Sequence, residues 1–155
     1  MGRVTRLVAV VAMGIVVLAG CQRDEQRPQA PAAAPSTQEI SPGTLGAGAK
    51  VSEPKGEVVL TMSGEIGTRN QGKKLALDIA SLERMRMVRM QTTEPFLKRK
   101  VTFEGVLLSD LLAVAGVSDS ASKINMTALD DYKVDFTVAD ARSSQMLLAT
   151  KADGK

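Results

Sequence analysis

Alternation of apolar and polar side chains near the C-terminus is the feature that most constrains the fold. Across residues 132–138 every second side chain is apolar and those between are Lys, Asp and Thr. This period of two predicts a half-buried β-strand. The same alternation over residues 124–128, with Asp130 and Asp131 between the two runs, predicts an antiparallel hairpin. The folded part of the chain therefore contains antiparallel β-structure.

Similar patterns predict the other elements. Strands are expected at residues 58–62, 73–77, 101–104 and 146–149. Residues 85–93 fit a helix or a strand, and we favour a strand over 88–93. The predicted caps and turns are Asp78 before a short helix, Ser109 before a helix over 110–115 that ends at Gly116, a helical turn that starts at Asp140, and a turn at Asp153–Gly154. The predicted class is α+β, with a mixed or antiparallel sheet and short helices.

Composition divides the chain into regions. Residues 22–55 hold five of the six prolines and no aromatic residue, whereas residues 56–155 contain all three Phe and the single Tyr. A segment without large apolar side chains cannot bury enough surface to order itself. We therefore expect residues 21–55 to be a disordered Pro/Ala-rich tether and residues 56–155 to be the folded domain.

The N-terminus has the layout of a secretory signal peptide over residues 1–20. Arg3 and Arg6 precede an apolar run of about 12 residues, shorter than the roughly 20 that a membrane-spanning helix needs. Leu18-Ala19-Gly20-Cys21 resembles a bacterial lipobox, which implies cleavage before Cys21 and acylation of its thiol. The alternative is an ordinary cysteine behind a leader.

Lipidation of Cys21 would place the protein on a membrane, facing the periplasm of the cell envelope. Two or three acyl chains anchor a protein stably, whereas one chain is marginal. Gln22 stands where an Asp usually marks retention in the inner membrane, so the outer membrane is favoured if the cell is Gram-negative.

The composition excludes several kinds of chemistry. The chain has no His and one Cys. It therefore cannot form a Ser-His-Asp triad, a His-ligated zinc site, an intrachain disulfide or a cysteine-ligated iron–sulfur cluster. The net charge of +3 gives no support to nucleic-acid binding.

The stretch over residues 101–116 has the pattern aromatic-x-Gly-Val-x-Leu-x-x-Leu-Leu-x-x-Ala-Gly, and residues 128–140 follow with Leu-x-x-Tyr and a later Asp. Together with residues 147–154, these stretches resemble the sulfite-oxidase-type molybdopterin-binding oxidoreductase domain. The resemblance covers roughly residues 56–155 and implies that fold. It also implies strands beyond the Asp153–Gly154 turn, so the domain is expected to be truncated at its C-terminus.

One departure from the family pattern bears on activity. Members that hold molybdenum usually supply a Cys thiolate just upstream of the aromatic-x-Gly strand, where this chain has residues 90–95 and no cysteine. Thr92 or Thr93 occupies approximately that position, and a hydroxyl that ionises with difficulty is a poor replacement. We expect no bound metal and no cofactor, with molybdopterin as the alternative.

Basic residues cluster around the same segment: Arg84, Arg86, Arg89, Lys98, Arg99 and Lys100. Of these, Arg89, Lys98, Arg99 and Lys100 are the candidates for binding a cofactor phosphate or an oxyanion such as sulfite. A solvated charged face explains the cluster equally simply, and we favour it. Met85, Met87 and Met90 are interpreted as core residues rather than copper ligands.

Two classes of function remain. The favoured one is a non-catalytic, lipid-anchored module that binds a small anionic ligand or an envelope protein, because it needs no residue that the chain lacks. The alternative is a molybdopterin-dependent oxidoreductase, similar to sulfite oxidase, in which the pterin alone holds molybdenum and the protein orients it.

Overall fold

Residues 36–155 are described by a computed structural model of the chain. Their strands and helices, in chain order, are β1 (Thr37–Ser41), β2 (Leu60–Met62), β3 (Leu75–Leu77), α1 (Ile79–Glu83), β4 (Met87–Glu94), β5 (Arg99–Leu107), α2 (Leu108–Ala115), β6 (Lys123–Thr127), β7 (Lys133–Thr137), α3 (Val138–Ser143) and β8 (Leu147–Ala152). No helix in this part of the chain is long and apolar enough to cross a membrane.

The strands form one four-stranded sheet in the order β1-β4-β5-β8 and two ribbons, β2-β3 and β6-β7. Every pairing between these strands is antiparallel. The predicted α+β class with an antiparallel sheet and short helices is therefore confirmed, as is the hairpin predicted from the period-two alternation.

The β4–β5 hairpin is the centre of the main sheet, with Met87 opposite Val106 at one end and Glu94 opposite Arg99 at the other. Gly105 of β5 lies against β8, where an added Cβ would collide with the carbonyl oxygen of Leu148. The motif glycine between Glu104 and Val106 is therefore required by the close approach of two strands.

The hydrophobic core lies between the helices and the adjoining ends of the sheets. Its buried side chains come mainly from β3, α1, α2 and the start of β4: Leu75, Leu77, Leu82, Met85, Met87, Val106, Leu111 and Val114. Met85 and Met87 are core residues, as predicted. The apolar side of α2, which carries Leu108, Leu111, Leu112 and Ala115, supplies much of this buried surface.

The prediction of a disordered tether is wrong for residues 36–55. β1 pairs with β4, and the side chains of Leu45 and Val51 are only 4% and 5% exposed within the core cluster. Gly43, at φ 70°, lets the chain turn against the backbone of Met85, and the amides of Thr44 and Leu45 donate to the carbonyl oxygen of Arg84. Long-range pairing orders a segment whose composition favours disorder. Residues 21–35 lie outside the described part.

Of the predicted helix ends, Asp78 and the left-handed Gly116 are confirmed, whereas Ser109 and the start of α3 differ from the prediction. Asp78 caps α1 as predicted, since its carboxylate accepts from the amide of Ser81. Ser109 does not cap α2, because β5 runs directly into the helix and the amide of Leu108 donates to the carbonyl oxygen of Met146. α3 begins at Val138 rather than at Asp140, and Thr137 caps it.

Candidate functional site

Thr92 and Thr93, the positions where the resemblance places a metal-ligating thiolate, lie on opposite faces of β4. Thr92 is half-buried, pairs with Val101 and shares its face with Val88 and Met90. Thr93 is exposed and pairs with Lys100. Because neighbouring strand residues point to opposite sides, the two hydroxyls cannot serve one site.

The arginines of the basic cluster are held by acidic partners. Arg86 makes a bidentate pair with Asp110, in which its Nε and Nη2 atoms donate to Oδ2 at 2.9 Å and to Oδ1 at 3.1 Å. Arg89 donates to one carboxylate oxygen of Glu104 across the hairpin, at 2.9 and 2.7 Å. A guanidinium engaged in this way has less capacity for an external anion. Arg86 and Arg89 are therefore engaged by acids of the domain itself.

Arg99 is bound by Asp153, from the turn after β8. The Nη1 atom of Arg99 lies 2.7 Å from one carboxylate oxygen of Asp153, and the amide of Thr102 donates to the other oxygen at 3.0 Å. These donors, the amide first and then the guanidinium, hold the pKa of Asp153 below its usual value. The predicted turn at Asp153–Gly154 is confirmed, and it fixes Arg99 in place.

Lys98 and Lys100 are the two residues of the predicted anion site whose charge is not already paired with an acid in the described part of the chain. Both are exposed, and neither makes an ion pair within residues 36–155. They flank Arg99 at the tip of the β4–β5 hairpin, beside the exposed side chains of Phe96 and Leu97. Lys98 lies in the turn of the hairpin, and Lys100 is the second residue of β5, where it pairs with Thr93.

Two open clefts lie elsewhere on the domain. The first, of about 390 Å³, is formed by the loop over residues 42–47 against α2, with the Arg86–Asp110 pair in its wall. The second, of about 460 Å³, is formed by residues 50–53 and 67–70. Its cations are Lys50 and Arg69, which are exposed and make no ion pair in the described part of the chain.

The second cleft does not follow from the sequence, because the proline-rich composition of residues 22–55 predicts a tether where residues 50–53 form one of its walls. The available indication was the run of glycines at positions 43, 46 and 48, followed by Lys50 and the apolar Val51. Glycines in such a run allow the chain to turn closely against a domain.

The described residues do not fit a thiolate-ligated molybdenum centre. They include no Cys or His, and no group of three or more acidic side chains within them could hold a metal ion. Neither threonine hydroxyl is a soft ligand of the kind that completes coordination beside a pterin dithiolene. Neither cleft is lined by Thr92, Thr93 or the cations of the hairpin tip. The lipidation site at Cys21 lies outside the described residues.

Comparison with known proteins bears on the fold that carries these residues. The family model of the oxidoreductase molybdopterin-binding domain matches residues 60–155, from β2 to the end of the chain. No curated protein matches the sequence. The matched region includes the helices and all strands except β1. The chain therefore belongs to the oxidoreductase molybdopterin-binding domain family.

Proposed function

We propose that this chain is a lipid-anchored envelope protein whose molybdopterin-family domain binds a small anionic ligand and does not catalyse a redox reaction. The observation that carries the proposal is the pair of threonines at the expected ligand position. Their hydroxyls point to opposite faces of β4, and neither can supply the soft donor that the metal needs. The domain has the fold of the family, but it offers no thiolate at the position where the family usually ligates the metal.

The second cleft is the best candidate for the anion site. Lys50 and Arg69 line it together with the hydroxyl-bearing Thr68, and Glu53 is the acid among the lining residues. The side chain of Asn70 holds the two segments of the cleft in place. It donates to the carbonyl oxygens of Ser52 and Ala76, at 2.9 and 2.8 Å, and accepts from the amide of Ala76 at 2.8 Å. A cleft with its backbone held in place loses little entropy when a ligand binds.

The leader sequence supports attachment to a membrane. Residues 1–20 have the charge and length pattern of a signal peptide, and Cys21 follows the small residues that a lipoprotein peptidase accepts. Acylation of this Cys gives the domain a stable anchor when two or more chains are added. The location would be the periplasmic side of a bacterial envelope, and the outer membrane is favoured by Gln22.

A molybdopterin-dependent oxidoreductase is the second candidate, and the family match over residues 60–155 favours it. In that case the pterin alone would hold the metal, and the chain would contribute orientation and charge. This function requires a pterin-binding surface near β4 and β5. Lys98, in the turn between these strands, and Lys100, in β5, are exposed cations that make no ion pair within residues 36–155.

Molybdenum and pterin content separates the two candidates. The mature chain is purified from membranes of a host that makes the cofactor, and it is compared with Thr92→Cys and Thr93→Cys variants. We expect neither molybdenum nor pterin in the unaltered protein, with folding verified by thermal unfolding. Near-stoichiometric molybdenum in the unaltered chain would overturn the proposal and establish the second candidate.

The cleft is tested on the same preparation by sulfate titration. Sulfate is expected to raise the melting temperature of the unaltered chain and to have a smaller effect on Arg69→Gln. Arg142→Gln is the matched control, because Arg142 is also exposed but is already paired with Asp119. Equal responses of all three proteins would contradict an anion site at Arg69.

A further inference from the structure

The tip of the β4–β5 hairpin presents two large apolar side chains to solvent. Phe96 is 92% exposed and Leu97 is 58% exposed. The turn that carries them is fixed: the carboxylate of Glu94 accepts from the amide of Leu97, and the carbonyl oxygen of Glu94 accepts from the amide of Lys98 at 2.8 Å. The tip is thus a defined structure that holds its apolar residues away from the domain.

Three consecutive cations adjoin these apolar side chains. Lys98 and Lys100 make no ion pair within residues 36–155, and Arg99 is paired with Asp153. Two acidic residues lie at the tip. The carboxylate of Glu94 accepts a hydrogen bond from the amide of Leu97, and Asp153 pairs with Arg99. Apolar side chains beside free lysines are the pattern that binds the surface of an anionic bilayer.

A second exposed tip offers an internal comparison. The β6–β7 ribbon ends in Leu129, which is fully exposed, and Tyr132, which is 67% exposed. Its turn carries Asp130 and Asp131, and the exposed Lys133 is the first residue of β7, so the two carboxylates outnumber the one lysine. An anionic bilayer repels such a turn, although the apolar content of the two tips is similar. Charge therefore distinguishes the two tips as membrane contacts.

We propose that the β4–β5 tip inserts Phe96 and Leu97 into the interface of an anionic bilayer, while Lys98 and Lys100 contact the phosphates of the lipid headgroups. An anionic lipid surface accommodates both the apolar pair and the adjacent positive charge. This contact does not require acylation of Cys21, and it is distinct from the anion cleft at Lys50 and Arg69. It gives the folded domain its own attachment to the membrane.

A single-tryptophan reporter tests the insertion, because the chain contains no Trp. Phe96→Trp and the matched control Leu129→Trp are each made in the full chain. Each is reconstituted into phosphatidylcholine vesicles with or without phosphatidylglycerol. We expect the indole of Phe96→Trp to shift its emission to the blue and to be quenched by bromine-labelled acyl chains when phosphatidylglycerol is present. The indole of Leu129→Trp is expected to stay accessible to acrylamide in both vesicles.

The contribution of charge is tested by adding Lys98→Gln and Lys100→Gln to Phe96→Trp. We expect the ratio of inserted to free tip in phosphatidylglycerol vesicles to fall by roughly thirtyfold. Both lysines are exposed, so the melting temperature should match that of the parent. Flotation of the vesicles reports attachment of the chain by any route, whereas the indole of Phe96→Trp reports the tip alone. Failure of the lipid anchor and failure of the tip are therefore distinguishable.

Two results would overturn the proposal. One is equal acrylamide quenching of Phe96→Trp and Leu129→Trp in phosphatidylglycerol vesicles. The other is a blue shift in Phe96→Trp emission that depends on protein concentration without vesicles, which would assign the tip to contact with a second copy of the chain.

Discussion

At the scale of single residues, Asp78 connects the segment before β2 to helix α1. Its carboxylate accepts from the amide and hydroxyl of Ser81, at 2.8 and 2.6 Å, and from the amides of Lys55 and Gly56, at 3.0 and 2.9 Å. These donors favour the ionised form and hold the pKa of Asp78 well below its ordinary value of 3.8, with the hydroxyl of Ser81 as the largest cause. One side chain thus joins two segments that are far apart in sequence.

The pH dependence of stability follows from this depressed pKa. A carboxylate with a lower pKa in the folded state stabilises the protein above its unfolded pKa and loses that contribution as the pH falls further. Asp78→Asn should lower the melting temperature at pH 7 by roughly 5–10 °C. It should also reduce the steepness with which the melting temperature falls below about pH 4. Circular dichroism melts between neutral and acidic pH measure both effects.

The control for Asp78→Asn is Glu57→Gln, an exposed carboxylate in the adjoining loop. It should leave the melting temperature at pH 7 nearly unchanged. Some acid sensitivity should persist in Asp78→Asn, because hydrogen bonds from Lys123 and from the amide of Thr102 also lower the pKa of Asp135 and Asp153, respectively. An unchanged pH profile in Asp78→Asn would contradict the role of its carboxylate.

At the scale of elements, the segment over residues 36–55 belongs to the core. Leu45→Ala removes a side chain that is 4% exposed and should lower the free energy of unfolding by about 2–4 kcal/mol. Ile40→Ala in the same segment is the control, because Ile40 is 40% exposed and its loss should cost less than about 1 kcal/mol. Urea unfolding measures the loss of unfolding free energy in both variants. Equal losses would contradict the burial of Leu45 in the core.

Local patterns in the sequence were sufficient for the elements that depend on local contacts. The β6–β7 hairpin and the Asp78 cap follow from side-chain alternation and from a carboxylate at the start of a helix. β1 could not be predicted, because it is an edge strand whose partner β4 lies far along the chain. Ser109 was misassigned for a related reason, since a distant carbonyl oxygen, that of Met146, satisfies the start of α2.

The candidate site was predictable only in part. The sequence located Thr92, Thr93 and the adjoining cations, but only the pairing of β4 with β5 shows which residues lie opposite the two threonines. It also could not show that Arg89 and Arg99 are engaged by Glu104 and Asp153, because those contacts depend on how the hairpin and β8 pair.

At the scale of the whole molecule, the domain neutralises most of the arginines on its sheet and helices with its own acids. Arg86, Arg89 and Arg142 all have carboxylate partners. Within residues 36–155, exposed lysines without ion-pair partners occur at the second cleft (Lys50) and at the hairpin tip (Lys98 and Lys100), and also at positions 55, 73, 74, 133 and 155. The proposed anion cleft and the proposed membrane tip therefore use some, but not all, of the unpaired cations of the described residues.

Cys21→Ser tests the anchor that would hold this domain at a membrane. If Cys21 is acylated, the unaltered chain extracted from membranes should lack residues 1–20 and carry the added mass of its acyl groups. The Ser variant should keep the leader and gain no acyl mass, because the nucleophilic thiol is gone. Intact-mass spectrometry of both chains makes the comparison. Equal melting temperatures would show that the variant changes processing and not folding, and an unacylated wild-type chain would contradict the anchor.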